Sequence, residues 1–368
     1  MKHPIACCAA AVALWTFAAG FLMAQTEPSN ARNWLRAAPP VPAFNVPATL
    51  PEWKTQRAAV RVRLNELLGE MPPRPKPAAV RILQREDRGD HWLEKFQFDN
   101  GAGATVPGYL LLPKTATAQK KAPGILYCHW HGGQYRVGKD EVFATNATPV
   151  AAGPALVRQG YVVIAVDAYC FGERNGQGPG GVKELDGGGE MTAAKFQLWM
   201  GRTLWGMMLR DDLSALDILA ARPEVDAARI GVTGISMGAT RAWWLMALDE
   251  RLKAGVAVCC LTRYQNLIEK ECLRCHGIYY FVPGMLRHFD SEAVVALAAP
   301  RALLFQSGED DLGSPVEGIK LIEEKVRPAY RLHGKSDDFQ SIIYPRTGHV
   351  YTPAMWEKTV AWLDKHLR

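Results

Sequence analysis

Three residue types in a fixed order along this chain could do chemistry: a serine between glycines, an acid after an apolar run, and a histidine near the carboxyl end. Ser236 lies in Gly234-Ile235-Ser236-Met237-Gly238. This Gly-x-Ser-x-Gly pattern places a serine on a tight strand-to-helix turn, its hydroxyl projecting from the end of a sheet. Glycines are required there because a Cβ beside so sharp a turn meets neighbouring backbone. A serine hydroxyl is a weak nucleophile near neutral pH. It needs a base to take its proton, and the base needs an acid to orient it.

The acid is expected in Gln306-Ser307-Gly308-Glu309-Asp310-Asp311-Leu312-Gly313-Ser314-Pro315, the loop after the apolar run 302–305. Asp311 is favoured over Asp310 because Gly308 stands three residues before it and Pro315 four after. The base is expected in the loop Pro345-Arg346-Thr347-Gly348-His349, behind the apolar run 341–344. His349 is preferred to His333, which precedes that run, and to His366, which falls in the terminal helical pattern. A tetrahedral intermediate also needs two backbone N–H donors. Met237, the residue after the serine, supplies one. The loop His129-Trp130-His131-Gly132-Gly133-Gln134 supplies the other, through the N–H of Gly133 or Gln134.

Further candidates surround these. His129 and His131 stand two apart, but no third ligand lies at a useful spacing, so neither a metal nor a cofactor is expected. Cys272-Leu273-Arg274-Cys275-His276 matches the C-x-x-C-H pattern of covalent haem attachment. The motif is solitary, and a local disulfide or two free thiols, with His276 near the pocket, is the expectation. Trp130, Tyr169, Phe171, Trp199 and Trp205 fall in or near the loops on the active side, where aromatic faces suit sugar rings. Of these, Trp130 and Tyr169 are taken with His131 and His276 as pocket residues.

These residues must be carried by a sheet. Short apolar runs at 124–128, 161–166, 230–233, 254–258 and 302–305 alternate with helical stretches at 204–221, 239–252 and 316–326. That rhythm indicates a parallel sheet covered on both faces. Ahead of it, 91–98 and 106–112 read as a hairpin turning at Asp99-Asn100-Gly101, and 52–70 as a helix closed by Gly69. The Gly-rich stretch 176–189 reads as a mobile loop. Residues 1–24 combine Lys2 and His3 with an Ala-rich apolar run and small residues at Ala18, Ala19, Gly20 and Ala24, the make-up of a secretory leader. The expected layout is therefore a leader at 1–24, an extension with one helix at 25–90 and a catalytic domain at 91–368.

The net charge of +6 is spread along the chain without a basic run, which argues against nucleic acid as a partner. No later stretch would span a membrane, so no stable membrane association is expected once the leader is removed. Two of the eight cysteines fall in the leader. Pairing among Cys128, Cys170, Cys259, Cys260, Cys272 and Cys275 does not follow from spacing.

Taken together, the serine turn, the Asp311 loop, Thr347-Gly348-His349 and His131-Gly132-Gly133 resemble the α/β-hydrolase superfamily. More particularly, 204–261, with Leu204-Trp205-Gly206-Met207-Met208-Leu209-Arg210-Asp211-Asp212 and Arg222-Pro223-Glu224-Val225-Asp226, is similar to dienelactone-hydrolase-like and acetyl-xylan-esterase-like bacterial hydrolases. So is His276-Gly277-Ile278-Tyr279-Tyr280-Phe281-Val282-Pro283-Gly284. The resemblance covers about residues 90–368. It implies an α/β-hydrolase fold: a mostly parallel sheet of about eight strands with helices on both faces, plus a small N-terminal helical extension. Two features depart from it. Dienelactone hydrolases proper use a cysteine where this chain has Ser236, and acetyl xylan esterases carry Gln where it has Met237.

The expected function is a secreted or periplasmic serine hydrolase of carboxylic esters, with small-molecule or carbohydrate esters, acetyl esters among them, as substrates. A peptidase of the prolyl oligopeptidase type would share the triad, but needs a large gating domain that about 70 preceding residues cannot build. A silent binding protein on the same scaffold is the third reading. Against it, all three triad positions hold competent residues.

Overall fold

The structure, a computed structural model, describes residues 30–368; the expected leader at 1–24 lies outside them. One sheet runs through the molecule. Its strands are β1 (Val80–Asp87), β2 (His91–Asp99), β3 (Thr105–Pro113), β4 (Ala122–Cys128), β5 (Val162–Val166), β6 (Val225–Ile235), β7 (Leu252–Val258), β8 (Ala302–Gly308) and β9 (Phe339–Tyr344). They lie in the order β1-β2-β3-β5-β4-β6-β7-β8-β9. β1, β2, β3 and β5 pair antiparallel, and every pair from β5 to β9 is parallel.

Alternation along the central strands builds a core on each face. In β5, Val162, Ile164 and Val166 enter one core, while Val163 and Ala165 enter the other. Such period-two alternation is what a strand's geometry imposes, and apolar residues at every position mean burial on both faces. The larger core takes the helices Leu50–Leu68, Leu204–Ala221, Met237–Leu248 and Val316–Leu332. The smaller takes Ala152–Arg158 and Pro353–Leu367. The helix Pro353–Leu367 begins at a capped start: the Thr352 hydroxyl accepts from the Met355 N–H, and proline occupies the first helical position.

The N-terminal region departs from expectation in three ways. It holds two helices rather than one, Asn30–Ala37 and Leu50–Leu68. The second is integral to the core through Trp53, Leu64 and Leu68, all buried. And β1, assigned by sequence to the extension, is a ninth strand that pairs with β2 from Val80–Phe98 to Asp87–Trp92. β1 is exposed along nearly its whole length and rich in charge, so it lacks the apolar alternation that marks a strand. The Gly-rich stretch 176–189 is also more ordered than its composition implied. Asn175 captures Asp186 through a side-chain pair, with Asn175 Nδ2 donating to Asp186 Oδ1 (2.7 Å) and the Asp186 N–H to Asn175 Oδ1 (2.9 Å). The helix Asp186–Trp199 starts there.

Candidate active site

Ser236 joins β6 to the helix Met237–Leu248 with φ 59° and ψ −120°. For a non-glycine residue this is a strained backbone, costing about 1–3 kcal/mol, and it persists only where surroundings enforce it. Here they do. The Ser236 N–H is held by the carbonyls of Val258 (2.9 Å) and Cys259 (3.1 Å). A Cβ on Gly238 would sit 2.0 Å from the Cys128 carbonyl oxygen, and one on Gly234 2.3 Å from the same atom. The pentapeptide glycines are therefore the condition for packing the turn against the end of β4. Beneath it, Arg241 Nε donates to Asp212 Oδ2 (2.8 Å) in a fully buried ion pair that ties the elbow helix to Leu204–Ala221.

β8 and β9 end side by side and carry Asp311 and His349. His349 Nδ1 lies 2.8 Å from Asp311 Oδ2, and the Gly313 N–H donates to Asp311 Oδ1 at 2.9 Å. Both carboxylate oxygens are thus occupied, and the Asp311 carboxylate orients the His349 imidazole. The loops are latched by backbone bonds, Asp310 N–H to the Thr347 carbonyl (2.8 Å) and Glu309 N–H to the Tyr344 carbonyl (2.9 Å). Gly308 permits this approach, since a Cβ there would meet the Thr347 carbonyl oxygen at 2.2 Å. Asp311 is buried and Asp310 exposed. Ser236, Asp311 and His349 line one cavity of about 660 Å³, together with His131, Gly133 and His276.

Beside Ser236, Met237 is the first residue of its helix, so its N–H has no intrahelical acceptor. The Gln134 N–H closes a tight turn on the His131 carbonyl (2.8 Å), and Gln134 does not line the cavity, which removes it as a donor. The Gly133 N–H donates to His131 Nδ1 at 3.0 Å, on the cavity wall. His129 is buried with both ring nitrogens engaged, Nδ1 on the Trp130 carbonyl (2.8 Å) and Nε2 on the Ala168 N–H (3.1 Å). No lone pair is left there for a metal.

Two expected pocket residues lie elsewhere. Trp130 folds back over Gly132, and its N–H donates to Glu141 (2.5 Å); its ring is behind the loop rather than on the cavity wall. Tyr169 lines a separate polar cavity, where the Arg174 guanidinium covers its ring at 3.8 Å and Asn100 donates to its hydroxyl at 3.1 Å. Phe171 packs on His131, Trp205 is core, and Trp199 is exposed. His276 does line the cavity, stacked on Tyr280 at 4.4 Å with Nε2 on the Gly313 carbonyl (3.0 Å), and burial lowers its pKa.

This arrangement can be set against known proteins. Residues 30–365 match the model of the Abhydrolase family. The chain belongs to that family. Its relative "Putative hydrolase YtaP" of Bacillus subtilis (strain 168) is 34% identical over 313 residues, covering 84% of this chain and 100% of that one. Among solved structures, a "putative acetyl xylan esterase" from Bacteroides fragilis NCTC 9343 superposes with a TM-score of 0.70 at 22% identity, covering 91% of this chain and 94% of that one. A glucuronoyl esterase from Solibacter usitatus does so with a TM-score of 0.64 at 20% identity, over 88% and 98%. The fold is the α/β-hydrolase fold, and the chain is a hydrolase of the Abhydrolase family.

Within this family fold, sequence reasoning missed Glu190. It is buried, with Oε1 3.3 Å from His131 Nε2 and Oε2 accepting from the Tyr135 hydroxyl (3.2 Å). Tyr279 stacks on the other side of the His131 ring, centroids 5.2 Å apart. Because His131 Nδ1 accepts from the Gly133 N–H, Glu190 lies beside the far end of the ring that shapes the glycine turn. Glu190 sits in Asp186-Gly187-Gly188-Gly189-Glu190, which carries no local signal for such a contact. The Leu204–Asp212 motif proves structural: Arg210 Nη2 donates to the Asn100 (2.6 Å) and Pro73 (2.7 Å) carbonyls, and Asp211 pairs with Arg174 (2.9 Å).

Proposed function

We propose that the chain is a serine esterase with Ser236 as nucleophile, His349 as base and Asp311 as orienting acid. The observation that carries this reading is the 2.8 Å contact of His349 with Asp311, on the wall of the cavity that Ser236 enters from its strained turn. Ser236 Oγ attacks the ester carbonyl as His349 Nε2 takes its proton, and the Asp311 carboxylate stabilises the imidazolium. The oxyanion is received by the Met237 N–H and the Gly133 N–H, the latter turning from His131 Nδ1 to the stronger, charged acceptor. His349 then protonates the leaving alcohol. Water, deprotonated by His349, attacks the acyl-enzyme and releases the acid.

Carbohydrate esters are the proposed substrates. The neighbours named as acetyl xylan and glucuronoyl esterases share the fold over nearly the whole chain, which supports this choice. A secreted or periplasmic location follows from the leader-like residues 1–24. Among the described residues no helix is long and apolar enough to cross a membrane.

The test is turnover of short-chain nitrophenyl esters, acetylated xylan and peptide anilides by the native chain and by Ser236→Ala. Ester hydrolysis is expected to fall by roughly four to six orders of magnitude in the variant. Equal turnover by the two proteins, or cleavage of the anilides alone, would overturn the reading.

A further inference from the structure

The Cys272–His276 run is a chemically capable motif that the triad leaves unused. All six described cysteines are free thiols, and of these only Cys275 is exposed. Leu273–Cys275 forms a single 3₁₀ turn, with the Cys275 N–H donating to the Cys272 carbonyl at 2.9 Å. In 3₁₀ geometry residues three apart eclipse one another, so both thiols project from the same side. Such a turn keeps the two Cα atoms within about 7 Å, and a disulfide spans about 4.4–6.8 Å. Cys272 is buried, its Sγ donating to the Lys270 carbonyl at 3.2 Å.

The turn forms part of the cavity wall. Cys275 lines it, and the Cys275 Cβ lies 3.8 Å from where a Cβ on Gly313 would stand. The next residue, His276, contacts the Gly313 carbonyl, while the Gly313 N–H holds Asp311. The cysteine turn thus abuts the loop that carries the acid.

We propose that Cys272 and Cys275 are a dithiol–disulfide pair whose oxidised form staples the His276 wall of the cavity. The oxidant is a disulfide, either a small thiol's or that of a thiol–disulfide oxidoreductase. The exposed Cys275 thiolate attacks one of its sulfurs and expels the first thiolate, leaving a mixed disulfide. The Cys272 thiolate then attacks Cys275 Sγ and expels the second. Two cysteine protons are released and two electrons pass to the oxidant, which ends as two thiols.

The experiment equilibrates the purified native chain with glutathione disulfide, alkylates the remaining thiols and maps the peptides by mass. A peptide two hydrogens lighter and unalkylated at both Cys272 and Cys275 is expected. Ester KM is expected to rise roughly twofold to fivefold on reduction, with kcat nearly constant, because the staple holds the wall and not the triad. Cys275→Ser should abolish that redox dependence. Alkylation of both cysteines, glutathione retained on Cys275 alone, or a bond to another cysteine would overturn the pair, and a mapped bond without a KM change would overturn its role in the wall. The mapping needs no activity, so it stands apart from the esterase reading on which the KM arm rests.

Discussion

The nucleophile turn and the wall facing it are built in opposite ways. The turn is compact and rigid: within the pentapeptide Gly234–Gly238, two glycines pack on the Cys128 carbonyl and Ser236 is held by those of Val258 and Cys259. The wall is assembled from distant segments, with Glu190 supporting His131, His276 touching Gly313, and β8 latched to β9. In one region the contacts converge on five contiguous residues, and in the other they are spread over separate loops. Substitutions should therefore be all-or-none in the turn and graded along the wall.

The largest effect is expected where packing is tightest. Gly238→Ala forces a Cβ to 2.0 Å from the Cys128 carbonyl oxygen and should cost about 3 kcal/mol with loss of activity. Gly133→Ala meets no atom within 4 Å and should cost only about 1 kcal/mol, from its positive φ. Denaturant midpoints for the two variants check the contrast. Equal loss in both would break it.

Next in size is the acid. Asp311→Asn should lower kcat by about 10³–10⁴-fold, as expected when the orienting carboxylate is neutralised. Asp310→Asn, at an exposed position, should stay within about threefold. Steady-state kinetics on one nitrophenyl ester separates them, and the reverse ranking would shift the assignment by one residue.

Along the wall, Glu190→Gln keeps the shape of the contact to His131 but removes its charge. It should lower kcat by roughly tenfold through the glycine turn, with little change in KM. A KM effect alone would instead make Glu190 a binding residue.

A pH-dependent effect concerns Glu141, which lies behind the turn under the Trp130 backbone N–H and the Tyr127 hydroxyl. Burial raises its pKa to about 7. The folded state then binds this proton more tightly than the unfolded one, so the contribution is full below about pH 4.5 and lost as pH rises through about 7. Thermal melts from pH 5 to pH 8 should show a decline of order 1–3 kcal/mol in the native chain, and a flatter profile for Glu141→Gln.

The same division decides what could be read from sequence. Ser236, Asp311 and His349 each follow an apolar strand and sit in turns with their own glycines, so their places in the sheet were legible. Trp130 and Tyr169 were misplaced because an aromatic residue in a loop does not record which way its ring turns. The interactions that decide this, Gly132 beneath Trp130 and Arg174 over Tyr169, are properties of the fold. Gln134 was a reasonable donor until its N–H was found closing its own turn. Glu190 and β1 were illegible for a shared reason: one lies in a glycine run and the other is an exposed charged edge, so neither carries apolar periodicity.

The most direct test of the central claim is covalent capture of the nucleophile. The native chain would be treated with a fluorophosphonate and its peptides mapped by mass. A single phosphonyl adduct on Ser236 is expected, absent from Ser236→Ala and formed far more slowly by His349→Ala. An adduct on another residue, or equal labelling of Ser236→Ala, would contradict the account.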